Sequence, residues 1–270
     1  MQSPIVAALT VAVLAAGAVA GVSTPVPASA ADTSSGTTLA PSGDVVSNGR
    51  TWKQTAVQDF FRSAPAGTFR MKYPRIGLYD GFSDTSGQGR YVPSKVLSVH
   101  DGVLDFWLRS DRGQPLSAAV MPDGYAPHRT GRVSIRYKTT ATPGYKFSVI
   151  LWPSSDDWDQ GEIDWPEATL GAKPRPASAI PGSLRNGAMT FQPERETFAP
   201  TDTSSWHVAT TEWDDDVVRF YWDDVLVAST TKAVPTQPMR VTLQAETDTG
   251  TRVLATASGH VSVDWIAIYD

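Results

Sequence analysis

The sequence predicts an all-β domain, a sandwich or a barrel, and three observations carry that prediction. After residue 50 almost no stretch places apolar residues at i, i+3, i+4 and i+7, the stripe of an amphipathic helix. Short runs alternate apolar with polar residues instead, the pattern of half-buried strands. Finally, 21 glycines and 20 prolines in 270 residues supply a turn signal about every six or seven residues.

Residues 5–22 are apolar, small and uncharged, and Ala28-Ser29-Ala30 follows as an AxA-type cleavage site. Residues 1–30 therefore read as a secretory signal peptide, with the mature chain starting near Ala31 and destined for the extracellular space. No Lys or Arg precedes the apolar stretch, which is near the lower length limit for a membrane span, so a retained N-terminal anchor is the alternative. With the signal removed, no stable membrane insertion is expected. Residues 31–50, rich in Ser, Thr, Gly and Pro, read as a flexible linker. A single catalytic domain over residues 51–270 is the expected remainder.

Trp52, Val57, Phe60 and Phe61 open the globular part, and residues up to 89 mix short strands with loops. Gly87-Gln88-Gly89 precedes no helix and makes no phosphate loop. Residues 90–99 and 103–108 flank His100-Asp101-Gly102, a hairpin turn, with Leu104, Phe106 and Leu108 on one side of the second strand. Residues 133–139 and 147–152 alternate again. Residues 161–167 form the next strand, residues 170–186 read as a long loop, and residues 187–191 as a neighbouring strand. Residues 206–213, 217–222 and 225–227 make a meander with acidic turns, in which Asp224 takes a left-handed conformation. In residues 239–247, Val241, Leu243 and Ala245 face one way. Thr242, Gln244 and Glu246 face the other, toward a ligand cleft or plain solvent. Residues 261–269 are the last strand.

Composition narrows the function. The net charge of −5 argues against a general nucleic-acid binder, which carries a basic stripe. The chain has no cysteine, hence no disulfide, thiol nucleophile or cysteine–zinc site. Its four histidines (His100, His128, His207 and His260) are widely spaced, with no HExxH, and there is no GxSxG nucleophile elbow.

The chemistry is concentrated in Gly161-Glu162-Ile163-Asp164-Trp165-Pro166-Glu167. Strand alternation puts Glu162 and Asp164 on one face and Ile163 in the core. Glu167 would fall on the wrong face unless one extra residue, a β-bulge, restores it. Pro166 marks the place, since proline is confined within sheets to edges and bulges. Four strand steps then separate the two glutamates, roughly 13 Å between Cα atoms, or about 5 to 6 Å between carboxyl groups leaning inward, as in a retaining glycosidase. Clustered carboxylates raise one another's pKa, which suits glycoside hydrolysis. A solvated acidic surface and a carboxylate metal site are the other readings. Trp152, Pro153, Trp158 and Trp165 hem the motif in, which an ordinary acidic surface seldom shows. Trp158, Trp165 and Trp152 are candidates for sugar stacking, with core packing as the alternative for each, and Gln244 is a candidate substrate contact.

Trp158-Asp159-Gln160-Gly161-Glu162-Ile163-Asp164-Trp165-Pro166-Glu167 resembles the active-site strand of glycoside hydrolase family 16 in its bulged form. The DGVL turn at residue 101, the WH…EW…VRFY…DD meander and the final strand strengthen the resemblance, which spans about residues 52–270. It implies a β-jelly-roll sandwich of two antiparallel sheets whose concave face binds sugar. It makes Glu162 the nucleophile, Asp164 its helper and Glu167 the acid/base, in a secreted, endo-acting, retaining glycosidase. The substrate would be a β-linked polysaccharide, first a β-1,3-glucan, acted on by a monomer. A carbohydrate-binding module and a transglycosylase on the same fold are the alternatives. No cofactor is required, and the resemblance adds Asp264 as a candidate ligand of a structural calcium. Met189-Thr190-Phe191 stands where family members often place a histidine, which puts the substrate in question.

Overall fold

A computed structural model describes residues 36–194 and 203–270, so the signal segment 1–30 and the first residues of the expected linker lie outside the described residues. The rest of the linker is not one. Val45–Ser47 (β1) and Arg50–Trp52 (β2) form a hairpin. Upstream of it, Thr38 donates to Asp264 Oδ2 from its backbone at 2.8 Å and from Oγ1 at 3.1 Å. Asn48 Nδ2 donates to Glu212 Oε2 at 2.8 Å and to the Tyr221 hydroxyl at 2.6 Å. This segment docks through hydrogen bonds, so it leaves no apolar periodicity in the sequence.

Gln54–Gln58 (β3) follows, then two helices of one turn each, Phe69–Lys72 (α1) and Pro93–Val96 (α2), too short to show a stripe. Between them lie Gly77–Leu78 (β4) and Arg90–Tyr91 (β5). Leu97–His100 (β6) and Val103–Asp111 (β7) form the expected hairpin, with Asp101 and Gly102 at φ 53° and 75°. Gln114–Met121 (β8), Gly131–Thr139 (β9), Tyr145–Pro153 (β10) and Ile163–Thr169 (β11) are long strands. Arg175–Ala179 (β12) lies inside the stretch expected to be a loop, and Phe191–Gln192 (β13) pairs with it. The buried side chains of β12 include Ala177 and Ala179, small residues that give no visible alternation. His207–Trp213 (β14), Val218–Trp222 (β15), Val225–Thr230 (β16), Met239–Thr247 (β17) and Ser258–Tyr269 (β18) complete the chain. In the β15–β16 turn both Asp223 and Asp224 are left-handed, at φ 49° and 63°. Asp223 offsets part of that cost by accepting from the Val208 amide at 2.8 Å and bonding His207 Nδ1 at 2.7 Å.

The strands make a jelly-roll sandwich. One sheet runs β13-β12-β11-β10-β17-β8-β4, the other β6-β7-β18-β9-β14-β15-β16 with β3 also on β18, and the β7–β8 hairpin joins them. Alternation sends Phe106 and Leu108 of β7 and Ile135 of β9 into the core from one side. Val149 and Leu151 of β10 and Val241 and Leu243 of β17 enter from the other. Each such side chain contributes about 1.5–3 kcal/mol by leaving water. β17 is buried on both faces: its other row, Thr242, Gln244 and Glu246, floors an open cleft. Among the described residues no helix is long and apolar enough to cross a membrane.

Candidate active site

β11 carries the acidic motif along one wall of that cleft. Asp157 opens a short 3-10 turn at Trp158–Gln160 by accepting from the Asp159 amide at 3.2 Å. Gly161 then takes φ 113° and ψ 175°, a conformation open essentially to glycine alone. This corner aims Glu162 into the cleft just ahead of the strand, where its carbonyl already accepts from the Ala179 amide at 2.7 Å. Ile163 and Trp165 point into the core. On β10, Ile150 pairs with Asp164 and Ser148 with Glu167; on β12, Ala177 pairs with Asp164 and Arg175 with Glu167. Three steps on β11 thus oppose two on each neighbour. The extra residue falls at Trp165-Pro166, and Glu162, Asp164 and Glu167 all line the cleft.

Their surroundings differ. Trp158 Nε1 donates to Glu162 Oε2 at 2.7 Å. Burial pushes the Glu162 carboxyl up to about 7, the indole bond opposing and the charge of Glu167 adding to the rise. Burial also pushes Asp164 well up, helped by the charges of Glu162 and Glu167 on either side. Asp164 Oδ1 accepts from Ser148 Oγ at 3.4 Å. Glu167 is held by two cations, Arg175 Nη2 at 2.9 Å and Lys146 Nζ at 3.5 Å. Lys146 also reaches Glu246 Oε1 at 3.1 Å. Burial works against the charge of Glu246, but Lys146 and the Tyr91 hydroxyl, 2.7 Å from Oε2, outweigh it and hold this carboxyl below its ordinary value. Burial likewise opposes the Lys146 charge, and Glu246 and Glu167 reverse the effect, raising its pKa.

The three tryptophans part company. Trp152 lines the cleft, its Nε1 donating to Asp156 Oδ1 at 3.2 Å. Trp158 is 9% exposed, lies behind Glu162 and holds that carboxylate rather than offering a face to sugar. Trp165 is 1% exposed, donates to the Tyr221 carbonyl at 2.9 Å, and packs edge-on against Phe220 and Trp222. It is a core residue, because the alternation that exposes Glu162 and Asp164 buries it. Gln244 is in the cleft, bonded to Thr85 Oγ1 at 3.3 Å, and Phe191 lines the opposite end.

Asp264 is not placed to hold calcium. It is 2% exposed, and its Oδ2 is taken by Arg136 Nη1 at 2.6 Å and by Thr38, so a guanidinium supplies the positive charge. Among the described residues no cluster of three or more His, Cys, Asp or Glu is set to hold a metal.

Sequence reasoning missed Lys146, Arg175 and Asp84. The first two sit on strands flanking β11, and only the β10–β11 and β11–β12 registers reveal them. Asp84 is buried and accepts from the Gly89 amide, Ser117 Oγ and both the amide and hydroxyl of Thr247, at 2.7–3.0 Å. It pins the loop after β4 to the cleft floor.

The family model described as glycosyl hydrolases family 16 matches residues 96–267. A search of the curated proteins found none that matches. Among solved structures, the endo-β-1,3-glucanase from Pyrococcus furiosus superposes with a TM-score of 0.64 at 18% identity, covering 85% of this chain and 98% of that one. The laminarinase from Rhodothermus marinus gives 0.61 at 18% identity, covering 81% and 97%. A structure described with endo-acting O-glycanases of human gut bacteria that initiate mucin breakdown gives 0.64 at 15% identity, covering 80% and 99%. At these identities the superpositions speak for the fold.

Proposed function

The chain belongs to glycosyl hydrolases family 16, and on that premise we propose that it is a secreted, endo-acting, retaining glycosidase of a β-linked polysaccharide, first a β-1,3-glucan. The observation that carries this reading is the bulge, which puts Glu162, Asp164 and Glu167 on one face of an open cleft. Glu162 attacks the anomeric carbon while Glu167 protonates the departing glycosidic oxygen; water activated by Glu167 then releases the glycosyl-enzyme. The Trp158 indole fixes the attacking carboxylate and favours its charge. Asp164, whose carboxyl burial and the charges of Glu162 and Glu167 push toward the neutral form, is placed beside Glu162 to give it a hydrogen bond as charge develops. The scheme needs no cofactor and only one copy of the chain. Similarity in fold to an endo-β-1,3-glucanase and a laminarinase supports the choice of glucan.

The test is release of new reducing ends from laminarin, mixed-linkage β-glucan and agarose by the chain from Ala31. Glu162→Gln or Glu167→Gln is expected to lower kcat at least about a thousandfold. Product anomers read by NMR before mutarotation are expected to keep the substrate's configuration. Inversion would overturn the retaining assignment. Mass spectrometry of the secreted protein tests cleavage near Ala31.

One observation favours a second reading, a non-catalytic carbohydrate-binding cleft. Both oxygens of Glu167 are engaged by cations, and an acid must release one of them to reach the glycosidic oxygen. Tight binding of the same polymers without release would decide for it.

A further inference from the structure

The cleft extends well beyond the acids, and part of its far wall is built by residues upstream of those that the family model matches. From β11 it crosses β10, β17 and β8 to β4, four strand spacings, or about 19 Å at the usual separation of about 4.8 Å. The wall there is the hairpin that follows β4, in which Ser83 pairs with Arg90. It lies upstream of residue 96, where the family match begins. Phe82 on this hairpin is 42% exposed and Tyr125, after β8, is 57% exposed, and both line the cleft. Both rings thus present free apolar surface to the cleft, on a wall otherwise held fast.

The wall is rigid. Phe82, Tyr79 and Tyr91 contact one another with ring centroids 5.2–5.5 Å apart. Tyr91 is anchored by its hydroxyl on Glu246, and Asp84 holds the hairpin to β8 and β17. Arg240 ties the cluster to the floor. Its Nη2 donates to the Tyr79 hydroxyl at 3.1 Å and to Asp156 Oδ1 at 2.6 Å, and its guanidinium lies 5.8 Å from the Tyr125 ring centre. Asp156 neutralises the Arg240 charge; Arg90 of the same hairpin, its guanidinium donating to the Gly81 carbonyl, is a second cation on this wall. A fixed aromatic surface fits the apolar C–H face of a pyranose ring.

We propose that Phe82 and Tyr125 form a distal subsite that stacks a sugar unit of the polymer several units away from the bond that is cut. The inference rests on the reading of the cleft as a polysaccharide site and deepens it: the enzyme selects long chains. Binding made so far from the reacting atoms is shared by ground state and transition state, so it appears in KM and not in kcat.

The experiment compares wild type, Phe82→Ala, Tyr125→Ala and Phe82→Trp on laminarin and on a size series of β-1,3-linked gluco-oligosaccharides. Thermal unfolding establishes that each variant is folded. Each alanine variant is expected to raise KM for laminarin and the longest oligosaccharides about tenfold, with kcat unchanged and the shortest oligosaccharides unaffected. Phe82→Trp is expected to restore KM. An unchanged KM at every length, or an equal rise for short and long chains, overturns the subsite. Should wild type cut no β-glucan, the hydrolase reading falls separately, and retention of the Glu162→Gln protein on immobilised laminarin decides the subsite. Retention that Phe82→Ala abolishes supports it; no retention, or retention indifferent to Phe82, overturns it.

Discussion

Glu162 shows at the level of one residue how a reactive group is made at the expense of stability. Folding lifts its carboxyl from the ordinary 4.5 to about 7, burial being the main cause. Between those pH values the native chain holds a proton that the unfolded chain has lost, so stability falls as pH rises through the window. Below about pH 4.5 the penalty is absent; above about pH 7 it is complete. Glu162→Gln removes it, and the variant is expected to be more stable than wild type by about 3 kcal/mol at pH 8 and equal to it near pH 4. Thermal melts across that range check this; a pH-independent difference would mean that burial does not hold the proton. The acids themselves were legible in the sequence because alternation and a proline located them. Their counter-charges were not. Lys146 and Arg175 sit opposite Glu246 and Glu167 on other strands, and one sequence holds no sign of which strands pair.

At the scale of the element, the strand that carries the chemistry works through two irregularities. The bulge at Trp165-Pro166 was readable because an odd spacing between two glutamates demands it. The corner before the strand was less so, since a lone glycine fits many turns. Gly161 at φ 113° has room for a methyl group, with Pro181 Cγ at 3.4 Å and the Ala179 carbonyl at 3.5 Å from where it would stand. The backbone conformation, not space, forbids it. Gly161→Ala is expected to cost about 1–3 kcal/mol in stability and, by turning the adjacent Glu162 away from the Trp158 indole, to lower kcat at least about tenfold. A melt together with steady-state kinetics on laminarin tests both; a normal kcat would show that Glu162 is not aimed by this corner. β12 escaped prediction because its small side chains lack the contrast that marks a strand, although it supplies Arg175.

For the whole molecule, the sheet content, the two-layer packing and the position of the cleft all follow from alternation, whereas the start of the folded unit does not. Residues 36–50 look like a tether in the sequence, yet they close over Arg136 and Asp264, a buried ion pair on the outer sheet. Removing them strips hydrogen bonds from that pair and opens it to water. A chain beginning at Thr51 is expected to melt several degrees below one beginning at Ala31, about 1–3 kcal/mol for the lost bonds to a charged group. Equal melting temperatures would return these residues to the status of a linker.

The placement of that segment also fixes where the described chain begins relative to the cleft. Arg136 alternates along β9 with Ile135 and Tyr137 of the core, so Thr38 and Gly36 rest on the back of the sandwich, on the sheet that does not carry the cleft. Gly36, the first described residue, therefore lies on the face opposite the cleft. Fixed to a surface by that end, the molecule would sit like a lamp on a wall bracket, with its working side turned to the medium and its mouth clear for chains of any length to pass through.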